Sequence, residues 1–256
     1  SHLLRKLESE LGATLVLRDG RGLTLTEEGQ RLALGLGDSF ERIAEAVDSF
    51  KRRSRTELRI STVSTFATRW LIPRLPEFQA LQPDVEILLS ASTRMIDLDR
   101  ENYDCAIRLG EGNWQGVESA LLWQEHLAVA MAPSLLTEKD ALNETSFSEI
   151  RLLHSAARRG DWAHWIEEAG LTHSDASSGT VLESRDLAIQ AAIAGMGAIV
   201  IDRRFVTSEL EAGHLVMPDW PVVELSSGYW FVRSTTRPQS RPVAAFRSWL
   251  QEAAVA

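Results

Sequence analysis

Two turns of the sequence carry hydroxyl side chains where a predicted strand gives way to a predicted helix. Ser64-Thr65-Phe66 follows the strand pattern of residues 58–63, and Ser184 precedes a helix pattern that starts at Arg185. The free N–H groups and the dipole of a helix start attract anions, and hydroxyls add donors. The same hydroxyls can simply cap their helices, which is the more common role. Two such turns facing each other across a cleft predict a small-ligand site better than either turn alone.

No pattern typical of a catalytic centre accompanies these turns. The six histidines are scattered, and neither a zinc-ligand spacing nor a G-x-S-x-G nucleophile turn occurs. The run Gly195-Met196-Gly197-Ala198 lies between a helix and a strand, the reverse of the order in a dinucleotide-binding loop. The single cysteine, Cys105, lies in an apolar run that predicts a buried, inert thiol and fits a reducing cytosol. The sequence therefore predicts no metal, no cofactor and no catalysis.

Aromatic residues give a weaker indication of a cleft. Trp114 lies in a glycine-rich loop, residues 110–116, after a predicted strand. It either lines a cleft or anchors a surface loop, and both interpretations stay open. Trp162 and Trp165 share one face of a predicted helix, which favours a place in the core.

Charge is distributed unevenly along the chain. The 256 residues carry a net charge of −9, with 10 basic and 9 acidic residues in 1–56 but 17 and 27 in 57–256. Because nucleic-acid affinity depends on local phosphate contacts, a nearly neutral first part remains compatible with DNA. A run of about 18 apolar residues is absent, and the first residues are unlike a secretory signal, so we expect neither a membrane span nor export.

The first 56 residues predict a helix, a hairpin and a second, long helix. Residues 2–11 form an amphipathic pattern closed by Gly12, and since no cap precedes Ser1, we expect this helix to begin upstream. Short strand patterns at 15–17 and 23–25 flank a glycine-rich turn. Thr26 is a good N-cap for a helix reaching about Arg53. Its apolar positions approach a heptad seam, which favours dimerisation over packing on its own domain: Leu32, Leu36, Phe40, Ile43, Val47 and Phe50.

From residue 57 onward, strand and helix patterns alternate. Strands are predicted at 58–63, 85–91, 104–109, 126–132, 180–183, 198–201, 215–217 and 229–233. Helices are predicted at 66–81, with bends at Pro73 and Pro76, and at 95–101, 161–169, 185–194, 203–212 and 242–254. This order predicts an α/β fold of two lobes with a mostly parallel sheet and a ligand crevice between the lobes.

Several runs resemble a known family. Residues 1–18 and the run Leu25-Thr26-Glu27-Glu28-Gly29 resemble the second half of the helix-turn-helix and the wing of LysR-type transcription regulators. The remainder resembles the periplasmic-binding-protein-like effector domain of that family. The runs around Thr65, Trp70, Trp114, His154 and Trp162 resemble the subgroup of glycine-cleavage activators and β-lactamase regulators.

The resemblance implies a domain order. A partial winged helix-turn-helix would occupy 1–25 and a dimerisation helix with hinge 26–56. The effector-binding domain would occupy 57–256, with lobe 1 at 57–130 and 235–256 and lobe 2 at 131–234. The two crossover strands would lie near 126–133 and 228–234. The first helix and turn of the DNA-binding domain are absent from this pattern, so we expect weakened operator binding.

The resemblance also implies partners and site residues. Promoter DNA, a small-molecule effector and a second copy of the chain, as a dimer or tetramer, are the expected partners in the cytoplasm. The DNA contacts would be Ser1, His2, Arg5, Lys6, Arg18 and Arg21. The resemblance, together with the hydroxyl turns and the glycine-rich loop, predicts the effector contacts Ser64, Thr65, Phe66, Trp114, Ser184 and Tyr229.

Two other classes of protein remain as alternatives. A secreted solute-binding receptor would have the same lobes, but the predicted wing and heptad helix argue against it. An enzyme on an α/β scaffold is disfavoured because no nucleophile–base pair and no metal-ligand set is visible.

Overall fold

The computed structural model of the chain describes residues 2–19, 22–33, 36, 56–136, 147, 149–171 and 175–255. The chain divides into two compact units, Ser1–Arg55 and Thr56–Ala256. In the described ranges, no helix combines the length and the apolar character needed to cross a membrane.

The first unit begins with a helix and a hairpin, as predicted. Helix α1 (His2–Leu11) ends at Gly12, which has a φ of +65° that favours glycine. Strands β1 (Val16–Asp19) and β2 (Gly22–Leu25) pair antiparallel. The Glu8 carboxylate accepts hydrogen bonds from the backbone N–H groups of Leu15 and Val16, at 2.8 and 3.2 Å. Helix α1 is thereby joined to the start of the hairpin.

A second helix, α2, follows the hairpin and is described over residues 27–33. Thr26 caps it as predicted, because its Oγ1 accepts the Gly29 N–H at 3.0 Å. A Cβ at Gly29 would lie 2.1 Å from the Leu15 carbonyl oxygen, so only glycine fits this close approach. Leu32 is half-buried and Leu36 is exposed. The other seam positions lie outside the described residues, and the dimer seam stays a prediction: Phe40, Ile43, Val47 and Phe50.

The second unit is built on one mixed sheet in the order β4-β3-β5-β10-β6-β9-β7-β8. Its strands are β3 (Thr56–Thr62), β4 (Val85–Ala91), β5 (Cys105–Gly110), β6 (Val117–Ala130), β7 (Leu152–Ser155), β8 (Thr180–Leu182), β9 (Ala198–Ile201) and β10 (Val223–Ser234). Strands β4, β3 and β5 run parallel, as do β9, β7 and β8. The long strands β6 and β10 join these groups through antiparallel pairs. The prediction of a mostly parallel sheet is therefore wrong for the centre of the sheet, where the pairs are antiparallel.

We call the part built on β3–β5 the first lobe and the part built on β7–β9 the second lobe. In the first lobe, a π-helical segment (Phe66–Leu71) continues into α3 (Ile72–Leu81), and α7 (Arg241–Val255) packs against β3 and β6. The second lobe contains α4 (Asp161–Glu168), α5 (Arg185–Ile193) and α6 (Thr207–Glu211). Short 3-10 turns are Pro133–Leu135, Ala156–Arg158 and Arg203–Phe205.

Several predicted elements differ from the structure. Residues 95–101 are not helical, because the Asp97 carboxylate accepts the N–H groups of Asp99 and Arg100 at 3.0 and 3.2 Å and so favours a turn. The strand predicted at 215–217 is reduced to one bridge between Met131 and Val216. The helix predicted at 203–212 is divided into a 3-10 turn and α6. Strand β7 and the first half of β6 were not predicted.

Aromatic side chains fill both lobes. Phe78, Phe246 and Trp249 pack together in the first lobe, with ring centroids 5.2–5.7 Å apart. Trp162 and Trp165 are buried in the core of the second lobe, as their spacing predicts. Cys105 is buried on β5, and burial raises the pKa of its thiol well above the usual value.

Candidate functional site

The structure brings the two hydroxyl-bearing turns together where the lobes meet. Thr65 and Ser64 lie between β3 and the π-helical segment, and Ser184 lies between β8 and α5. Ser184 has the simple capping role, since its Oγ accepts the Leu187 N–H at 3.2 Å. Thr65 makes no cap hydrogen bond, and its Oγ1 instead lies 3.4 Å from Oδ2 of Asp186 in the second lobe. The two turns are thus joined across the cleft, through a residue that the sequence pattern did not single out.

An ion-pair network extends this contact. The Arg69 Nε donates to Asp186 Oδ1 at 3.1 Å, and Thr68 Oγ1 donates to the same oxygen at 2.8 Å. The Arg69 guanidinium also pairs with Glu209 on α6. The Arg69 side chain is 16% exposed, and the two carboxylate side chains are 25% and 12% exposed. We call this set, Thr65, Thr68, Arg69, Asp186 and Glu209, the interlobe network.

Aromatic rings pack around Phe66, the residue that follows Thr65. Phe66 stacks on Trp123 of β6 at a centroid distance of 5.3 Å and lies 5.5 Å from the ring of Tyr229 on β10. Phe205 of the second lobe packs edge-on against Tyr229 at 5.3 Å. Phe66 and Tyr229 are 0% and 1% exposed. In this arrangement of the lobes, Phe66 and Tyr229 contact other aromatic rings rather than an open cleft.

A buried charge cluster contacts the hydroxyl of Tyr229. Arg185 Nη1 donates to Glu125 Oε1 at 2.9 Å, and its Nη2 donates to Asp161 Oδ2 at 2.6 Å. Arg158 Nη2 reaches the same two side chains, at 2.6 Å from Glu125 Oε2 and 2.8 Å from Asp161 Oδ1. Two guanidinium groups therefore face two carboxylates, and Glu125 is fully buried. Arg185 Nη1 also donates to the Tyr229 hydroxyl at 3.3 Å.

The pKa directions in this cluster follow from burial and charge. Burial alone lowers the pKa of the Arg185 guanidinium, but its interactions with Tyr229, Glu125 and Asp161 outweigh burial and raise that pKa overall. Burial raises the pKa of Tyr229, partly offset by the positive charge of Arg185. Arg185 therefore stays charged and Tyr229 stays a neutral phenol at neutral pH.

The remaining predicted effector residue is Trp114. Its ring packs edge-on against Trp230 of β10 at 6.5 Å, and it is half-buried. A Cβ at Gly112, which has a φ of +84°, would lie 2.5 Å from the Trp230 ring. The glycine-rich loop is therefore packed closely on β10, and an effector contact by Trp114 stays a prediction.

An open cleft of about 420 Å³ lies elsewhere in the second lobe, between the start of α4 and the start of β10. Six charged or titratable residues line it: Arg158, Arg159, Asp161, His164, Glu168 and Glu224. None of the predicted effector residues lines this cleft.

The predicted DNA contacts are described only in part. Arg5 and Lys6 are exposed on α1. Only the backbone of His2 and Arg18 is described, and Ser1 and Arg21 lie outside the described residues. Among the described residues, no three His, Cys, Asp or Glu side chains converge as a metal site.

The sequence pattern missed the charged groups of this site and the hydroxyl of Thr68. The unpredicted groups are Thr68, Arg69, Glu125, Arg158, Asp161, Arg185, Asp186 and Glu209. One signal was present in the sequence: an arginine and an aspartate, Arg185 and Asp186, directly follow the hydroxyl of Ser184 in the first turn of a mostly apolar helix.

Comparisons with known proteins agree with this architecture. Residues 51–255 match the LysR substrate binding domain, and residues 1–30 match the bacterial regulatory helix-turn-helix protein of the lysR family. The glycine cleavage system transcriptional activator of Escherichia coli K12 is 34% identical over 258 residues, which cover 100% of this chain and 84% of that protein. The HTH-type transcriptional activator AmpR of Pseudomonas aeruginosa is 34% identical over 261 residues, with 99% and 85% covered.

Solved structures support the same relationship. The effector domain of AmpR from Pseudomonas aeruginosa superposes with a TM-score of 0.68 at 30% identity, covering 78% of this chain and 96% of that domain. Full-length AphB of Vibrio cholerae, at 20% identity, shares the fold with a TM-score of 0.62 over 97% of this chain and 87% of its own. The two-lobed sheet, the helix-turn-helix match and the relatives together show that this chain belongs to the LysR family of transcriptional regulators.

Proposed function

We propose that the chain acts in the cytoplasm as a homo-oligomeric, non-catalytic regulator that binds promoter DNA and senses a small molecule between its two lobes. The observation that carries this proposal is the convergence of Thr65 and Asp186 from opposite lobes, at 3.4 Å. A ligand entering there would contact both lobes at once. Such a ligand shifts the balance between lobe arrangements when it binds one arrangement more tightly than the other.

The effector site of the proposal is the base of the interlobe cleft. Thr65 and Ser184 supply hydroxyl groups from the two lobes, and Tyr229 supplies a neutral phenol from the crossover strand β10. Because Phe66 and Tyr229 are buried in this arrangement, effector entry requires the lobes to separate or rotate. A change in lobe geometry can be transmitted to a dimer or tetramer on DNA, which is the allosteric step we propose.

DNA binding is assigned to the first unit. Arg5 and Lys6 are exposed on α1, within the segment that matches the family helix-turn-helix. Two copies related by a two-fold axis would present this segment to a palindromic operator. The solute-binding receptor alternative does not account for the helix-turn-helix match or for relatives that are transcriptional activators.

Transcript profiling of a deletion strain tests the sensing step. The genes that change in the deletion strain define the regulated set, and their response to a change of growth medium is measured after complementation. The wild-type chain should restore that response, and Thr65→Val with Ser184→Ala should lose it. An intact response in the double variant would contradict the assigned effector site.

The control variant for this experiment carries two exposed hydroxyl replacements, Thr93→Val and Ser248→Ala, and should behave as wild type. Since Ser184 caps α5, its replacement is expected to cost about 1 kcal/mol of stability. The melting temperature of the purified double variant therefore has to be measured, so that lost sensing is separated from lost folding.

A further inference from the structure

We propose that Thr65, Thr68 and Arg69 form a carboxylate-binding site, which Asp186 of the opposite lobe fills as an internal ligand until a carboxylate of the effector displaces it. This inference rests on the proposed function and names the chemical class of the effector group. It also assigns a role to Thr68, Arg69 and Asp186, which the sequence pattern did not place in the site.

The geometry around Asp186 is that of a bound carboxylate. Oδ1 accepts hydrogen bonds from Thr68 Oγ1 at 2.8 Å and from Arg69 Nε at 3.1 Å. Oδ2 faces Thr65 Oγ1 at 3.4 Å, the longest of the three contacts. All three donors belong to the first lobe, and the acceptor belongs to the second. Donors placed at both oxygen positions of a planar group favour a carboxylate over a single-point anion.

Thr68 and Asp186 each have another favourable interaction when the two separate. A hydroxyl has one proton to donate, and Thr68 Oγ1 also lies 3.1 Å from the Ser64 carbonyl oxygen of its own segment. Asp186 stands in the first turn of α5, where the helix dipole stabilises its charge without help from Arg69. Separation of the lobes therefore leaves neither Thr68 nor Asp186 without a favourable interaction.

The charge balance favours exchange of one carboxylate for another. Arg69 faces two carboxylates, Asp186 and Glu209, so the three-group set carries one excess negative charge. While Glu209 stays paired with Arg69, replacing Asp186 by a carboxylate of the ligand keeps that charge unchanged. The ligand then gains donors of the first lobe while it breaks a contact to the second, which links binding to lobe geometry.

The buried charge cluster is a poor candidate for the same exchange. Its Arg185 and Glu125 side chains are 6% and 0% exposed, and each guanidinium bridges both carboxylates. Asp186, at 25% side-chain exposure, is accessible to solvent. The displaceable carboxylate is therefore Asp186, and the buried cluster keeps the second lobe rigid during exchange.

Chemical rescue tests the inference. Asp186→Ala in the full chain removes the internal carboxylate and leaves its donors in place, and acetate is the probe. We expect the melting temperature to fall by about 2–6 °C, because the charge-assisted contacts of Asp186 with Thr68 and Arg69 are lost. Acetate should restore most of that loss with saturable dependence on concentration, as expected for a ligand that binds the folded state. Wild type should show no saturable acetate effect.

Lobe separation gives a second readout. Spin labels at Leu81→Cys on α3 and Glu168→Cys on α4 report the distance between lobes, because both positions are exposed and the native Cys105 is fully buried. The Asp186→Ala distance distribution should be broader than that of the labelled parent chain, and acetate should narrow it. If Asp186→Ala does not fold, Asp186→Ser is used in both measurements.

Controls separate a built site from a general salt effect. Asp84→Ala removes an exposed aspartate of the first lobe and should show no rescue. Adding Arg69→Met to Asp186→Ala should abolish rescue, and chloride or inorganic phosphate at equal ionic strength should restore much less than acetate. Equal acetate effects on wild type and Asp186→Ala, or no saturable effect on Asp186→Ala, would overturn the inference. If acetate fails to rescue Asp186→Ala while the wild-type chain still occupies its promoters, only this inference is contradicted. If the wild-type chain does not occupy promoters, the proposed function itself is contradicted.

Discussion

The guanidinium of Arg185 and the carboxylate of Asp161 are joined inside the second lobe, with Nη2 and Oδ2 2.6 Å apart. Each group also contacts a further member of the buried charge cluster, Glu125 for the arginine and Arg158 for the aspartate. The cluster fixes the start of α5, and the same turn presents Asp186 to the other lobe. Two consecutive residues thus have different roles: Arg185 stabilises the second lobe, and Asp186 makes the contact between the lobes.

Removal of one charge from the cluster should be strongly destabilising. Arg185→Met leaves Glu125 and Asp161 with Arg158 as their remaining cation in the cluster, and breaking a buried ion pair in this way costs about 3–5 kcal/mol. Urea denaturation of the purified chain measures the change. Arg159→Met, at an exposed neighbouring position, is the matched control and should change stability by less than about 0.5 kcal/mol. Equal stability of the two variants would contradict the proposed role of the cluster.

Truncation of Phe66 should destabilise the protein in the absence of any ligand. Its ring is fully buried between Trp123 and Tyr229, so Phe66→Ala leaves a cavity and should cost about 3–5 kcal/mol. Met95→Ala, at a side chain that is 65% exposed, is the control. A loss below about 1 kcal/mol for Phe66→Ala would show that the aromatic base of the cleft is open in solution.

Alanine at position 29 should loosen the first unit, although alanine usually stabilises a helix by about 1 kcal/mol relative to glycine. The added Cβ would lie 2.1 Å from the Leu15 carbonyl oxygen and would force α2 away from the hairpin. Hydrogen exchange at the Leu15 and Val16 amides, which bond to Glu8, should become faster. Glu28→Ala at the neighbouring exposed position should leave those rates unchanged, and equal rates in both variants would contradict the close approach.

The Glu118 carboxylate should make stability depend on pH in the acid range. A hydrogen bond from Arg247 lowers the pKa of Glu118 below its usual value of 4.5, and the charge of Arg233 acts in the same direction. A lowered folded-state pKa adds stability above pH 4.5, and this contribution is lost as pH falls through the folded pKa. The melting temperature of Glu118→Gln should therefore lie below wild type at pH 7, and the difference should close below pH 4.5. A difference that stays constant down to pH 3 would contradict this origin, and Glu252→Gln on α7 is the exposed control.

Much of the fold could be predicted from local patterns. The hairpin, the Thr26 cap and strand β4 follow from turn residues, capping chemistry and apolar periodicity. The centre of the sheet could not be predicted in this way, because β6 and β10 continue through polar residues whose pairing is long-range. The helix prediction at 95–101 failed for a local reason, because the Asp97 side chain competes with the helical hydrogen bonds.

The candidate site was predictable only in outline. Thr65 and Ser184 were identified because strand-to-helix turns with hydroxyls have a known chemistry. Arg69 and Asp186 were not, because their pairing depends on how the two lobes face each other. A single sequence gives no periodicity for a contact between side chains 117 residues apart.

The central claim is that this chain regulates transcription from specific promoters. Chromatin immunoprecipitation of the chromosomally tagged protein, followed by sequencing, tests it most directly. We predict discrete peaks at promoters that share a two-fold-symmetric motif, and strongly reduced occupancy for Arg5→Ala with Lys6→Ala, whereas Arg159→Ala in the second lobe keeps wild-type occupancy. A uniform signal along the chromosome, or peaks that persist unchanged in the Arg5 and Lys6 double variant, would contradict the account.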